Sequence, residues 1–377
     1  MSAKVDLRAI EREIEQIRER EANPYSAGTR TNLFTLLIFR AEGASQQPKD
    51  RAGAALAHLL GRRPARIITF ERSQSLESEL SVSGRCSPDR LNRGVCFEEV
   101  YIQCGDDGVG SDPGTWAPLL IRDLPTFAWW PDGLATGILP VEDPIAGVSD
   151  RVDKVIIDSA AAQRTGADAG EASPAQAPFD AAGMAVGSPA PFDIPTDTRS
   201  FPAELGLLLK TRDTKGGSYL VTDFAWRRGQ ALREQSARAF DPPEHRELIS
   251  RIRGVRLRGG MRAEAQLYFH WLAQRLRWTR GGSRDGLPVV WDQARRDIRL
   301  SHDFEGPLAE GFVVTFSFEG APDLPVGCTR GGCVSIDDEK SAYRFPTDGE
   351  ILLQEVDSLV RDSSFHEVLA HAVPGQS

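Results

Sequence analysis

Residues 32–70 read NLFTLLIFRAEGASQQPKDRAGAALAHLLGRRPARIITF, and their pattern sets the fold of the first half. Residues 32–40 form a near-continuous apolar strand, 50–62 an Ala/Leu-rich helix, and 65–70 a second apolar strand. Apolar runs separated by one helix predict a βαβ unit whose strands are buried on both faces. The next two strands differ. Leu76, Leu80, Val82, Gly84 and Cys86 alternate with polar residues, and beyond a Pro/Asp/Asn/Gly turn Cys96, Val100, Ile102 and Cys104 share one face. That is an antiparallel pair with one wet face. A short helix over 116–121 and strands over 126–130 and 152–158 complete the pattern. Residues 30–158 thus read as an α/β domain with a mixed sheet.

Upstream, residues 1–29 read as an amphipathic helix and lead-in. Val5, Ile10, Ile14 and Ile17 recur at helical spacing, and Asn23-Pro24 ends the helix. So narrow a stripe on a terminal segment packs either on a partner or on its own domain, and the second is the expectation. Downstream, residues 159–200 are dominated by Ala, Pro, Gly, Ser and Thr without hydrophobic period, and read as a flexible linker and domain boundary. Within it Ala177-Pro178-Phe179-Asp180 recurs as Ala190-Pro191-Phe192-Asp193; two Phe in a flexible tract read as docking anchors or, as biased composition favours, as chance repetition. Residues 201–377 read as an α+β domain with antiparallel strands. Helices are expected over 203–210, 220–240 and 262–278, a charged strand over 248–257, and a closing helix over 349–370. Period-two runs such as Phe312, Val314, Phe316 and Phe318 supply the sheet.

The chain has 377 residues, room for two domains, with 40% hydrophobic and 26% charged residues as in soluble globular proteins. No apolar run approaches the ~20 residues of a membrane-spanning helix. A net charge of −9 argues against routine nucleic-acid binding. No secretory signal is visible, and five cysteines suit a reducing cytoplasm better than a disulfide framework.

Catalytic motifs do not present themselves. The sequence lacks a Walker-type phosphate loop, a G-x-G-x-x-G opening the first helix, an H-E-x-x-H and a G-x-S-x-G elbow. Its six histidines lack zinc-ligand spacing, and His302, on the apolar face of a strand, reads as a hydrogen-bonded core residue. Neither a catalytic residue, a metal nor a cofactor is expected.

Two cysteine groups receive different readings. Cys86, Cys96 and Cys104 read as small buried hydrophobes. Cys328 and Cys333 bracket Thr-Arg-Gly-Gly, where two sulfurs can meet in a small exposed ring, making them redox candidates against the reading of an inert thiol pair. Among aromatics, Trp129 and Trp130 are adjacent at a strand end, so that in a regular strand one of them points away from the core. A partner-binding anchor and a packed strand end both account for them. Asp223, Trp226, Arg227, Arg228 and Arg233 combine one acid, one aromatic and three cations near a helix start, either an anion site or an ordinary solvated face.

These same segments resemble the OpcA family, the glucose-6-phosphate dehydrogenase assembly proteins. Arg63-Pro64-Ala65-Arg66-Ile67-Ile68 resembles the family's P-[SA]-R-[VI]-I strand, and Arg85-Cys86 with Val95-Cys96-Phe97-Glu98-Glu99-Val100 its cysteine hairpin. The most specific match runs from Leu119 through Asp123-Leu124-Pro125-Thr126-Phe127-Ala128-Trp129-Trp130-Pro131. Asp223, Trp226 and Arg233 fit a D-x-x-W…R pattern, and Trp271-Leu272-Ala273-Gln274-Arg275-Leu276 fits W-L-A-x-R-L. Ala225 and Phe97 depart from the family's frequent Asn and Cys, and the match fades beyond about residue 300.

The resemblance implies a non-catalytic assembly factor and allosteric activator that binds glucose-6-phosphate dehydrogenase in the pentose phosphate pathway. It makes Asp123, Trp129, Trp130, Asp223, Trp226 and Arg233 candidate partner-binding residues. In photosynthetic members it also implies thioredoxin-linked control, for which Cys328 and Cys333 are the candidates here. The alternative is an enzyme or sensor that binds a sugar phosphate through Arg227, Arg228 and Arg233.

Overall fold

The computed structural model describes residues 7–22, 32–46, 50–59, 62–88, 94–140, 143, 145, 147–161, 205–209, 212, 218–284, 287–291, 296–303, 311–329, 332–334, 340–341 and 345–372. They form two compact units. The first comprises Met1–Ser159, Glu204–Phe224 and Pro346–Asp362, and the second Ala160–Ala203, Ala225–Phe345 and Ser363–Ser377. Two later segments therefore return to the first unit, so a single cut at 159–200 does not divide the molecule. The inserted tract beyond residue 161, with its repeated Ala-Pro-Phe-Asp, lies outside the described residues.

The first unit is built on seven strands, β1 (Phe34–Arg40), β2 (Ala65–Arg72), β3 (Glu79–Pro88), β4 (Gly94–Cys104), β5 (Thr126–Trp130), β6 (Lys154–Ile157) and β7 (Leu220–Asp223). Their order is β3-β4-β2-β1-β5-β6-β7. All neighbours are parallel except β3, which pairs antiparallel with β4 as the edge hairpin. Numbered in chain order, the parallel strands alone run 3-2-1-4-5-6, the order of doubly wound dinucleotide-binding sheets. Residues 220–223, expected to open a helix, supply the last strand instead. The apolar Leu220–Val221 pair extends an already buried sheet, and tertiary pairing overrides the local pattern.

Helix α1 (Leu7–Ala22) packs on the hairpin through Ile10 and Ile14, as its stripe predicts, and approaches closely enough that a Cβ at Gly84 would collide with Ile17. Its Glu11 meets the buried Arg66 at 2.9 Å, and Arg66 also pairs with Glu98 at 2.8 Å. Helix α2 (Arg51–Leu59) covers one face of the sheet together with a helix from the far end of the chain (Asp348–Val356). That late helix begins with a reciprocal cap, in which Glu350 accepts from Thr347 N–H and Thr347 Oγ1 accepts from Glu350 N–H. The expected single closing helix is thus two, the second being Ser363–Ala372 in the other unit. The intervening Asp357–Asp362 segment is not helical, Asp357 capping the end of the first of the two helices.

The second unit holds an eight-stranded sheet, β8 (Ile252–Arg258), β9 (Thr279–Arg284), β10 (Leu287–Trp291), β11 (Asp297–Asp303), β12 (Gly311–Phe318), β13 (Ala321–Thr329), β14 (Gly332–Val334) and β15 (Lys340–Ser341), in the order β15-β14-β13-β12-β8-β11-β10-β9. It is antiparallel except for the parallel pair β8–β11. Burial alternates along β12, with Phe312, Val314, Phe316 and Phe318 inward, as period two requires. These side chains pack against Leu232 of Gln230–Arg238 and Tyr268, Phe269 and Leu272 of Arg262–Arg275. His302 is buried with its Nε2 3.0 Å from Gly260 O, a core histidine as its position on the strand implies.

Candidate functional site: the carboxyl edge of the first sheet

In an open parallel sheet the crevice beyond the carboxyl ends of the strands, where the strand order reverses, is the usual ligand site. Here the reversal falls between β1 and β5. Strand β1 ends at Arg40, the chain after β5 runs through Pro131 to Asp132, and β2 closes on Glu71-Arg72.

Arg40 is buried, and its guanidinium forks onto Asp50 with Nη2–Oδ1 at 2.8 Å and Nη1–Oδ2 at 3.2 Å. Its Nε lies 3.5 Å from Asp132. Burial lifts the Asp132 carboxyl above the usual carboxylate range, against the opposing pull of Arg40. The other Asp50 function is local: its Oδ1 accepts from Gly53 N–H at 2.9 Å, satisfying a donor in the first turn of α2. Glu71 is buried, and accepts from Ser45 Oγ at 2.9 Å, Ser45 N–H at 3.3 Å and Tyr101 Oη at 2.8 Å. Further along the same edge, Arg51 bonds Asp158 at 3.3 Å and also meets Asp348, while Asp223 accepts from Ser159 Oγ at 2.5 Å and Ser159 N–H at 3.2 Å. Each of these polar groups is turned onto another part of the chain.

The aromatic candidates lie inside. Trp129 and Trp130 are 2% and 0% exposed. The expectation that one of them points away from the core fails because β5 is a central strand covered on both faces. Trp129 joins the core beneath α2 and stacks on Phe224, with centroids 5.6 Å apart. Trp130 belongs to an aromatic row on the opposite face, 4.6 Å from Phe39, which stacks in turn on Phe70. Asp123 is exposed in a left-handed turn (φ 64°) ahead of β5, whereas Asp223 is buried at the carboxyl end of β7. These two acids stand at opposite edges of one sheet.

In the second unit Trp226 is buried against Phe365, and Arg233 lies over its ring, Cζ 3.4 Å from the centroid, while its Nη1 donates to Trp226 O at 2.8 Å. Arg228 is buried 3.9 Å from Glu264, and Arg227 is half-buried. The cations of the anion-site expectation are engaged with the protein's own groups, Arg233 on Trp226 and Arg228 beside Glu264 among them.

The cysteines also differ from expectation. Cys96 is disulfide-bonded, and so is Cys328; in the antiparallel registers Cys86 and Cys333 stand directly opposite them. Cys96 is therefore no inert apolar filler, and Cys328 is fully buried rather than part of an exposed ring. Cys104 alone is free among the described residues, its thiol pushed up to about 12 by burial. No sequence signal marked Arg40, Asp50, Glu71 or Asp132, because their meeting depends on strand order.

Comparison with known proteins gives a family on both halves. Residues 57–172 match the family described as glucose-6-phosphate dehydrogenase subunit N-terminal domain, and residues 219–369 the corresponding C-terminal domain. A curated relative from Synechocystis sp., named as an OxPP cycle protein OpcA, is 23% identical over 243 residues, covering 61% of this chain and 41% of that protein. The chain thus matches less than half of that relative's length. Among solved structures, glucose-6-phosphate 1-dehydrogenase of Mycobacterium avium superposes with a TM-score of 0.42 at 11% identity, covering 90% of each chain. A myo-inositol dehydrogenase of Corynebacterium glutamicum gives 0.39 at 8% identity, over 90% of this chain and 93% of its own. Superpositions this loose assign nothing to the chain.

Proposed function

The chain belongs to the OpcA family of glucose-6-phosphate dehydrogenase subunits, and from that premise we propose that it is a non-catalytic assembly factor and allosteric activator of glucose-6-phosphate dehydrogenase. The observation that carries this reading is the pair of family domains in order over 57–172 and 219–369. The inward-bonded polar groups at the sheet edge and on Trp226 are in keeping with it, because none is poised toward an outside substrate.

Activation of this kind is a binding problem. The chain shifts its partner only by binding the active form more tightly than the idle one, and tenfold activation needs a differential of about 1.4 kcal/mol. A standard interface of at least ~1,200 Å² supplies that readily. With Trp129 and Trp130 inside, the family-matching segment offers the partner its exposed turn at Arg122 and Asp123 rather than the indole rings. Reduction of the disulfide at Cys328 by a thioredoxin-type dithiol belongs to the same proposal as a secondary control.

The test is co-purification with the dehydrogenase of the same organism, followed by its kinetics with and without this chain. Association with raised kcat or a larger active oligomer is expected. Absence of association, or turnover of a sugar phosphate by the chain alone, rejects the reading.

A further inference from the structure

The strand order of the first unit is that of sheets that bind a dinucleotide, whose pyrophosphate sits on glycine-rich backbone at the first helix and whose ribose is held by an acid after the second strand. The residues at those places do not fit it. We infer that the dinucleotide crevice of this fold is closed from within by Arg40, Asp50, Asp132, Ser45, Glu71 and Tyr101, so that the described residues of the unit form a dinucleotide-fold scaffold without a cofactor site.

Three features support the inference. The connection from β1 to α2 holds one glycine, Gly43, and its first described turn is a short 3-10 helix (Ala44–Gln46) rather than a long helix open at its N-terminus. Three donors placed for a phosphate are spent: the Arg40 fork is on Asp50, the Gly53 N–H is capped by the same carboxylate, and the Ser45 N–H is on Glu71. Asp50 thus stands in for the anion. The acid in the ribose position, Glu71, already accepts hydrogen bonds from Ser45 and Tyr101 on both carboxylate oxygens. Charge argues the same way, since Arg40 is faced by three carboxylates, Asp50, Asp132 and Glu71. An incoming pyrophosphate meets more acid than base there.

A crevice kept for a ligand and a crevice filled as a plug respond oppositely to mutation. Polar groups held ready for a ligand are retained at a cost in stability, so their neutral variants are neutral or stabilising, whereas members of a satisfied buried network destabilise when altered. The experiment titrates NAD+ and NADP+ up to about 1 mM into the full wild-type chain by calorimetry and thermal melting, and measures the Tm of D50N and E71Q separately. The expected result is no heat and no shift in Tm with either dinucleotide, together with a Tm lowered by ~2–8 °C in each variant. A variant that does not fold at all counts with the lowered values. Saturable dinucleotide binding by wild type overturns the inference, and so does an unchanged or raised Tm in both variants. The readouts need no partner enzyme, so they stand or fall apart from the proposed function.

Discussion

Lys154, the first residue of β6, and Glu355, in the helix Asp348–Val356, are 201 positions apart and form a buried ion pair at 2.6 Å, with side chains 2% and 0% exposed. The same ammonium donates to the carbonyls of Glu355 and Ser358, at 3.1 and 2.8 Å. The late helix is thereby bound to the amino end of the first sheet. Removing one partner strands a buried charge, so Lys154→Met should destabilise the protein by about 3–5 kcal/mol, while K154M/E355L should recover much of the loss. Denaturant titration of the three proteins checks this; equal losses in the single and double variants would refute the pairing argument.

Trp129 and Trp130 test whether the family's most specific segment acts by contact or by support. Both indole N–H groups are buried without an acceptor among the described residues, so Phe at either place removes an unsatisfied donor along with some volume. W129F and W130F should fold and keep affinity for the dehydrogenase within about threefold. A loss of 2 kcal/mol or more in a stably folded variant would make the ring a contact residue.

Arg233 is committed to Trp226, both by its ring contact and by its bond to the carbonyl. Isothermal calorimetry of the chain with glucose 6-phosphate should therefore be silent. R233A should lower stability by ~1–2 kcal/mol through the lost cation–π contact and hydrogen bond. Binding of the sugar phosphate by wild type and its loss in R233A would instead favour the anion site.

His302 sets a pH dependence. Burial holds its imidazole below the ordinary value of 6.5, against the opposing pull of the Gly259 and Gly260 carbonyls. The neutral ring is thus favoured in the folded state, and below pH 6.5 the unfolded chain binds the extra proton. Stability contributed at this site is fully present above 6.5 and declines as pH falls below it. Melting curves from pH 7.5 to 5.5 should show this decline, shallower in H302N; an identical slope in both would remove His302 as its source.

Thiol counting addresses the disulfides. If Cys86 and Cys333 are bonded to the cysteines opposite them, titration in denaturant finds one thiol, Cys104, before reduction and five afterwards. Because Cys328 is fully buried, its reduction in the native protein should be slower than in denaturant. Five thiols in the unreduced protein would end the redox proposal.

The strands over 32–40, 65–70 and 126–130 were legible because a buried strand in a parallel sheet is apolar on both faces, and the structure places β1, β2 and β5 on those runs. The edge hairpin was legible through its alternation, and the family through the segment ending in Trp129-Trp130-Pro131. Strand β7 was not, since Leu220-Val221-Thr222-Asp223 is too short to show a period and borders a real helix. The orientation of the tryptophans was misread for a related reason: alternation along a strand tells which side each residue faces, not whether that side is covered.

What the sequence by itself determined is local and additive: which runs form strands or helices, the absence of a glycine-rich phosphate loop, and the family to which the motifs point. Strand order, the return of Pro346–Asp362 to the first unit and the closure of its crevice by Arg40, Asp50 and Glu71 were decided only in three dimensions. The reason is physical. Hydrophobic period is written within a few neighbouring residues, whereas an ion pair such as Lys154–Glu355 joins positions 201 apart and exists only after the intervening chain has chosen its path.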